Sequence, residues 1–483
     1  MIEFSVPNPN YANDLMELIR AFEQRTDERL SLAVDYSVSE NVMSVTLRSD
    51  KFENFVKIYR FPYAPVDALD AKRIEKRHLK TAIYNTLVFL TGVSLPYGCL
   101  TGIRPTKLYA ELGDRARDMF LHDFSVRPEK VELIERVIRA QQGIRNPAPE
   151  RIADLFVFVP FCPTRCAYCS FVSMPVDRQK KLLRPYTDCV VREIAFLKEE
   201  AARLGYRFRS VYVGGGTPTA LPLSMLEEVL AACRVEDAEE FTVEAGRPDT
   251  ITPAAVRLLK KAGVSRVSVN PQTFNDATLE RIGRRHTAED VLRAFKLVKK
   301  KFKVNMDLIA MLPGESFEDF AASVDTAAGL APDNITVHTL YLKKGSSLKN
   351  EGYAVTANSL AESMVDYAFS RLTEEGYEPY YMYRQKYTGG NLENVGYAKP
   401  GTACLYNMDI MEEDTTVFAA GAAAISKKVT PSINLIERNA NYKEPLEYIK
   451  HFDTVMQRQR DFWAKPVPAR DFPDAVDSVC DGE

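Results

Sequence analysis

From residue 154 onward the chain alternates short β-branched or aromatic runs with stretches of helical periodicity, and no other feature restricts its fold as strongly. The strand-like runs fall at Leu155–Pro160, Ser210–Val213, Glu240–Glu244, Arg266–Val269, Val304–Ile309 and Asn334–Leu340. Between them, Tyr186–Arg203, Ser224–Cys233, Pro253–Ala262, Ala288–Lys300 and Ser316–Gly329 carry apolar residues at helical spacing. Pro222 and Pro253 sit near helix starts, where a missing N–H costs little, and Gly205 and Gly263 fall where helices end. Strands alternating with helices build a parallel sheet through right-handed crossovers. Six such units predict an α/β architecture, a partial (β/α)6 barrel with functional residues at the C-terminal ends of its strands.

The remainder divides around that repeat. Residues 1–145 read as an N-terminal α+β module: a helix over Ala12–Gln24, strands Leu30–Tyr36 and Val42–Arg48 around a Ser39-Glu40-Asn41 turn, and a long helix over Val66–Thr91. The linker Arg145-Asn146-Pro147-Ala148-Pro149-Glu150 cannot continue a helix, because each proline lacks an N–H and restricts its predecessor. The barrel is expected over 152–345, a mixed α/β C-terminal extension over 346–463, and a flexible Pro-rich tail over 464–483. A length of 483 residues exceeds one comfortable core and agrees with such a division.

With 27% charged residues and a net charge of −3, the chain shows no electrostatic footprint for nucleic acid. The basic stretch Arg293–Lys303 reads as a solvated helix face. Met1-Ile2-Glu3-Phe4 does not lead a basic stretch into an apolar run, so no signal peptide is expected. Ala82–Leu95, interrupted by Asn85, Thr86, Thr91 and Gly92, is too short and polar for membrane insertion. A cytoplasmic monomer is expected.

Of eight cysteines, Cys99, Cys189, Cys233, Cys404 and Cys480 are scattered, whereas Cys162, Cys166 and Cys169 crowd one loop after the first barrel strand. In a reducing compartment such crowding points to metal or redox chemistry. Thiolates bind iron tightly, and an iron–sulfur cube with three protein ligands leaves one iron open to an exogenous ligand. Structural zinc, the competing reading, wants four ligands in paired knuckles. Only Cys189 offers a fourth, from inside a helix, and no second Cys-x-x-Cys exists.

The Cys-x3-Cys-x2-Cys segment Cys162-Pro163-Thr164-Arg165-Cys166-Ala167-Tyr168-Cys169, with Gly214-Gly215-Gly216-Thr217-Pro218-Thr219 after the second strand, resembles the radical S-adenosylmethionine (SAM) superfamily. Over about 154–430 it resembles the oxygen-independent coproporphyrinogen III dehydrogenase (HemN-like) group, and Thr101–Lys107, Tyr381–Lys386, Asn391–Tyr397 and Phe418–Ser426 resemble its HemZ branch. The resemblance implies a 4Fe–4S cluster on the three cysteines and one or two SAM molecules. It further implies SAM contacts at Phe156, Tyr168, Gly214, Gly215, Gly216, Thr217, Glu244, Gln272, Arg284, Asp307 and Ile425.

Several of these have plainer readings. Glu244 can cap the following helix, Arg284 can belong to a solvated basic run, and Tyr168 and Ile425 can be packing residues. Consecutive glycines let backbone approach a ligand closely, and an inward strand carboxylate such as Asp307 is costly without a partner. Two positions depart from the group: Phe156 stands where tyrosine is usual, and Phe158 where histidine is expected, which puts two-SAM chemistry in doubt.

The implied activity is oxidative decarboxylation of two coproporphyrinogen III propionates to vinyls in haem biosynthesis, fed by an external electron donor such as flavodoxin or ferredoxin. A tetrapyrrole with four carboxylates needs cations, for which Arg104, Lys107, Arg384 and Lys386 are candidates. Two alternatives stay open: a HemW-like haem-binding chaperone and an anaerobic haem-degrading methyltransferase. The chaperones carry a His-Asn-x-x-Tyr-Trp segment, where this chain reads Tyr406-Asn407-Met408-Asp409-Ile410-Met411.

Overall fold

The computed structural model describes residues 1–6, 8–102, 104–169, 173–342, 345–353, 358–385, 391–431 and 435–466. The tail expected to be flexible lies, from 467 on, outside the described residues.

The N-terminal module is a four-stranded sheet of β1 (Ile2–Ser5), β2 (Leu30–Ser39), β3 (Val42–Ser49) and β4 (Phe55–Pro62), in that order. Helix Pro9–Glu23 carries the chain from β1 to the parallel β2, and β2, β3 and β4 are antiparallel. The turn at Glu40-Asn41 has positive φ at both residues, so its twist matches that of the flanking strands. β1 and β4 escape the sequence reading: the first is short, and the second alternates too evenly exposed residues to announce a core face. Helix Ala68–Thr91 starts on Asp67, whose side chain accepts from the Asp70 N–H at 2.7 Å, and stops at left-handed Gly92.

The second sheet has eleven strands. Its centre is the expected parallel series β5 (Ile152–Val159), β8 (Arg207–Gly215), β9 (Glu240–Glu244), β10 (Arg266–Ser268), β11 (Lys303–Ala310) and β12 (Asn334–Thr339), adjacent in chain order. Between β5 and β8 the short β6 (Phe161–Cys162) and β7 (Met174–Pro175) pair with each other and hold the cysteine loop closed at its base. The C-terminal residues extend this same sheet at both ends. β13 (Glu378–Arg384) and β14 (Glu393–Ala398) add beyond β12, antiparallel. β15 (Thr416–Ala420) joins β5 in parallel, and β16 (Ile425–Thr430) and β17 (Leu435–Ala440) follow it antiparallel. The barrel is therefore open rather than closed, and helix Leu405–Glu412 packs against β8 and β13.

One sequence expectation needs correction. The basic stretch Arg293–Lys303 is not one helix face: the helix spans Ala288–Val298, and Lys303 already begins β11. Among the described residues no helix is long and apolar enough to cross a membrane.

Polar contacts, several of them buried, join the N-terminal module to the C-terminal strands and helices. Lys130 donates to Glu393 at 2.7 Å and Asp366 at 2.9 Å, Gln141 donates to Glu412 at 2.8 Å, and Arg104 pairs with Glu413 at 2.6 Å.

Candidate functional site

Strand alternation decides what faces the concave side of the parallel sheet. In register across β5, β8 and β9, Asp154, Phe156 and Phe158 lie beside Ser210, Tyr212 and Gly214, and Tyr212 beside Thr242. Asn305, Asp307 and Ile309 of β11 lie beside Asn334, Thr336 and His338 of β12. A parallel sheet covered on both faces normally reads as continuous apolar runs. Here one face is polar or aromatic on nearly every strand, so it encloses a site.

The cysteine loop crosses the C-terminal end of these strands and is pinned by its neighbours. Gly216 N–H donates to Val159 O at 2.8 Å and Thr217 N–H to Phe161 O at 2.7 Å. The Ala167 N–H reaches Ile282 O at 2.9 Å, and the Thr164 hydroxyl donates to Gly283 O at 3.0 Å. Arg247, which the sequence reading passed over, is buried and donates to Thr164 Oγ1 at 2.8 Å.

Cys162, Cys166 and Cys169 are free and partly exposed, while Cys99, Cys189, Cys233 and Cys404 are free and buried. Burial pushes the Cys162 thiol up to about 11, and the nearby Cys166 and Cys169 add repulsion. The Thr217 hydroxyl donates to Cys162 Sγ at 3.5 Å. Among the described residues no three His, Cys, Asp or Glu side chains converge tightly enough for a single metal ion. Soft thiolates spaced on one loop suit the corners of an iron–sulfur cube.

Around the loop stand the residues expected to hold SAM. Arg284 is only 8% exposed; it donates to Asn270 O at 2.6 Å and to the Tyr168 hydroxyl at 3.2 Å, and its Nε is buried without a partner. It is thus no part of a solvated basic face. Glu244 does not cap the helix after it: Tyr212 OH donates to Oε1 at 2.6 Å and the Gly215 N–H to Oε2 at 3.0 Å. Gln272 is buried with φ +70°, its N–H on Asp307 O at 2.9 Å, a strained conformation for a residue with a Cβ. Asp307 accepts from Asn305 Nδ2 at 2.8 Å and lies 4.0 Å from His338 Nε2. Ile425 opens β16 and is 44% exposed.

The glycine run is needed by the protein itself. A Cβ on Gly214 would come within 2.6 Å of the Glu244 carboxyl carbon, one on Gly215 within 2.5 Å of the Phe158 ring, and one on Gly216 within 2.6 Å of Val159 O. Close packing on β5 and β9 thus accounts for all three. Phe156 stacks on Tyr406, with centroids 5.6 Å apart, and Tyr406 on Tyr212 at 4.3 Å, giving an aromatic wall.

The substrate-cation expectations fare differently. Arg384 does not face the concave side: it is buried over the Tyr97 ring at 4.1 Å and donates to Leu100 O and Asn391 O at 2.8 and 2.9 Å. With its donors on backbone carbonyls it joins modules and does not await a carboxylate. Arg104 pairs with Glu413 through one nitrogen but keeps a buried Nε without a partner, Lys107 is half-buried and already engaged, and Lys386 lies outside the described residues. Tyr212, Tyr406 and His338 were missed. The period-2 pattern Ser210-x-Tyr212-x-Gly214 and Asn334-x-Thr336-x-His338 carries the signal for two of them, but Tyr406 reaches the wall from a distant helix.

Burial pushes the Glu244 carboxyl up to about 7, with the Asp307 charge adding to it and the Tyr212 hydrogen bond opposing. Between its ordinary value of 4.5 and about 7 only the folded chain keeps this proton, so stability falls as pH rises through that window. Glu244→Gln is expected to flatten that fall, read as a smaller difference between melting temperatures at about pH 5 and about pH 7.5. An unchanged difference would remove Glu244 as its source.

Comparison with known proteins identifies the family and the fold. The family model described as the Radical SAM superfamily matches residues 156–327. The chain is 33% identical over 470 residues to the oxygen-independent coproporphyrinogen-III oxidase-like protein HemZ of Bacillus subtilis, covering 92% of this chain and 93% of that one. It is 25% identical to the heme chaperone HemW of Escherichia coli, over 65% of this chain and 80% of that one. Among solved structures, the radical SAM enzyme coproporphyrinogen III oxidase (HemN) of Escherichia coli shares the fold, with a TM-score of 0.51 at 22% identity over 65% of this chain and 72% of that one.

Proposed function

The chain belongs to the radical SAM superfamily and, within it, to the HemZ group of coproporphyrinogen-III oxidase-like proteins; from that premise we propose that it oxidatively decarboxylates two propionates of coproporphyrinogen III to vinyls, giving protoporphyrinogen IX. The family implies SAM and a 4Fe–4S cluster. In this reading Cys162, Cys166 and Cys169 hold the cluster. Arg284, Glu244, Gln272, Asp307, Tyr168, Thr217 and the Gly214–Gly216 turn form the SAM pocket, with Phe156 and Ile425 at its apolar margin. Bound there, the cluster and SAM would supply the radical chemistry, and the protein would orient it.

The observation that carries the reading is the buried guanidinium of Arg284, tied to Tyr168 inside the cysteine loop yet keeping Nε unpaired. A buried unpaired donor is costly and calls for an acceptor, which a SAM carboxylate would supply. The stacked Phe156, Tyr406 and Tyr212 exclude water from the radical's path and offer an apolar face to a macrocycle. At each propionate one hydrogen atom would pass from the β-carbon to the adenosyl fragment of SAM, giving 5′-deoxyadenosine, while carbon dioxide departs from the carboxylate and one electron passes to an external acceptor, leaving the vinyl. Reducing electrons come from a flavodoxin- or ferredoxin-class donor, and the chain acts as a cytoplasmic monomer.

The test is an anaerobic incubation of reconstituted protein with SAM, reductant and coproporphyrinogen III, read by mass spectrometry. Protoporphyrinogen IX with 5′-deoxyadenosine is expected. Deoxyadenosine without decarboxylation would overturn the substrate, and S-adenosylhomocysteine with a methylated, ring-opened product would move the chain to the haem-degrading class. The similarity to HemW chaperones supports a second reading, haem binding. A stable complex in haem titration without turnover would favour it.

A further inference from the structure

Helix Ala68–Thr91 places Arg73, Lys76, Arg77 and Lys80 at intervals of three and four residues, so all four share one face. That face meets Cys99–Gly102, the helix Pro105–Leu112 and Phe124, and together they wall a cavity of about 550 Å³, to which Arg104 adds a fifth cation. The volume falls within the range of small-molecule sites. Asp70 and Glu111 are its acidic lining residues, so cations prevail by five to two. The remaining walls are largely apolar, Ile74, Leu108 and the Phe124 ring among them.

Like charges gathered around one cavity repel, and ordinary solvated faces relieve this by interleaving acids. The relief here is incomplete. Lys76 pairs with Asp14 at 2.5 Å and Lys80 donates to the Thr101 hydroxyl at 2.5 Å. Arg77 lies over the Phe124 ring at 5.5 Å, and Arg73 makes no ion pair among the described residues. Arg104 reaches Glu413 with one nitrogen while its Nε is buried without a partner. The helix Pro105–Leu112 that begins beside it lines the cavity with Pro105, Leu108, Glu111 and Leu112. Arg73, Arg77 and the Arg104 Nε are thus left without an ion-pair partner among the described residues, beside the apolar Ile74, Leu108 and Phe124.

We propose that this cavity binds an apolar carboxylate, through the Arg73, Arg77 and Arg104 guanidiniums over the Ile74 and Phe124 walls. The site is built from the N-terminal module and stands apart from the cysteine loop, so it does not rest on the radical reaction. Two sources share this chemistry, a propionate-bearing macrocycle and a linear fatty carboxylate.

The test uses the full chain with its cluster reconstituted. Coproporphyrin III is titrated anaerobically by fluorescence quenching and laurate by calorimetry, alone and in competition. Arg73→Glu and Arg77→Met are each expected to weaken one binding equivalent by about tenfold or more, whereas Lys296→Glu, an equal charge change on an exposed helix elsewhere, leaves it unaltered. Unchanged circular-dichroism melting of Arg73→Glu is expected to show the fold intact. Porphyrin that laurate does not displace assigns the macrocycle, and laurate binding that both variants weaken assigns the linear source. A second porphyrin equivalent that both variants leave unaltered, beside one that they weaken, belongs to the cluster face. Affinities identical in wild type and both variants, or no binding of either compound, would overturn the proposal.

Discussion

Serine in place of Cys162, Cys166 or Cys169 is expected to reduce bound iron and sulfide to background and to abolish 5′-deoxyadenosine formation. Serine keeps the loop's size and hydrogen bonding but offers a hard oxygen where a soft thiolate is needed. Losing an outer partner of a metal site already costs about 10–100-fold, so losing one of three direct ligands is expected to exceed that range. The comparison that gives the prediction its edge is Cys189→Ser. Cys189 is buried within helix Lys180–Arg203 and is the one further cysteine the sequence offered as a fourth, zinc-type ligand. If three cysteines suffice, Cys189→Ser retains full iron and full deoxyadenosine yield. Iron analysis and product quantification on the four variants settle the matter, and equal loss in Cys189→Ser would restore the four-ligand reading.

The second large effect is on stability. Lys130→Met is expected to destabilise the folded chain by about 3–5 kcal/mol, because it strands a buried carboxylate. Lys130 and Glu393 are both buried, the first in helix Pro128–Gln141 of the N-terminal module and the second at the start of β14. Burial opposes both charges, yet the pair holds the ammonium above its ordinary value and the carboxyl below. The other Glu393 oxygen makes no hydrogen bond, so once Lys130 is gone only the weaker influence of Tyr97 and Arg384 offsets the buried charge. Replacing both, Lys130→Met with Glu393→Leu, is expected to recover most of the loss, since an apolar pair of similar volume commonly matches a buried ion pair. Denaturant melts of the two variants check this. A single variant that melts like wild type would show that the joint between module and sheet carries little of the stability.

What could be read ahead of the structure follows from how local each signal is. The parallel series from β5 to β12 was legible because each strand is bounded by its own helix, and its apolar runs need no distant partner to be recognised. The cysteine loop was legible for the same reason: three ligands lie on one short segment. By contrast, the strands that widen the sheet at either end take their places from tertiary pairing, β15 beside β5 across more than half the chain. Arg384 looked like a free cation because it sits among tyrosines in sequence. Only the fold reveals that Leu100 O and Asn391 O take its donors. Glu244 is the converse case, a residue whose capping alternative fell away once Tyr212 and Gly215 were seen to occupy its oxygens. The glycine run combined both lessons, with its strand-end position evident and its tight contacts to Glu244 and Phe158 invisible.

The account stands on three thiolates leaving one corner of an iron cube for SAM. The most direct measurement is the electron paramagnetic resonance spectrum of anaerobically reconstituted, reduced protein before and after SAM is added. A 4Fe–4S signal that shifts on SAM addition is the predicted result. A protein that takes up no iron and sulfide, or a cluster signal indifferent to SAM, would contradict it.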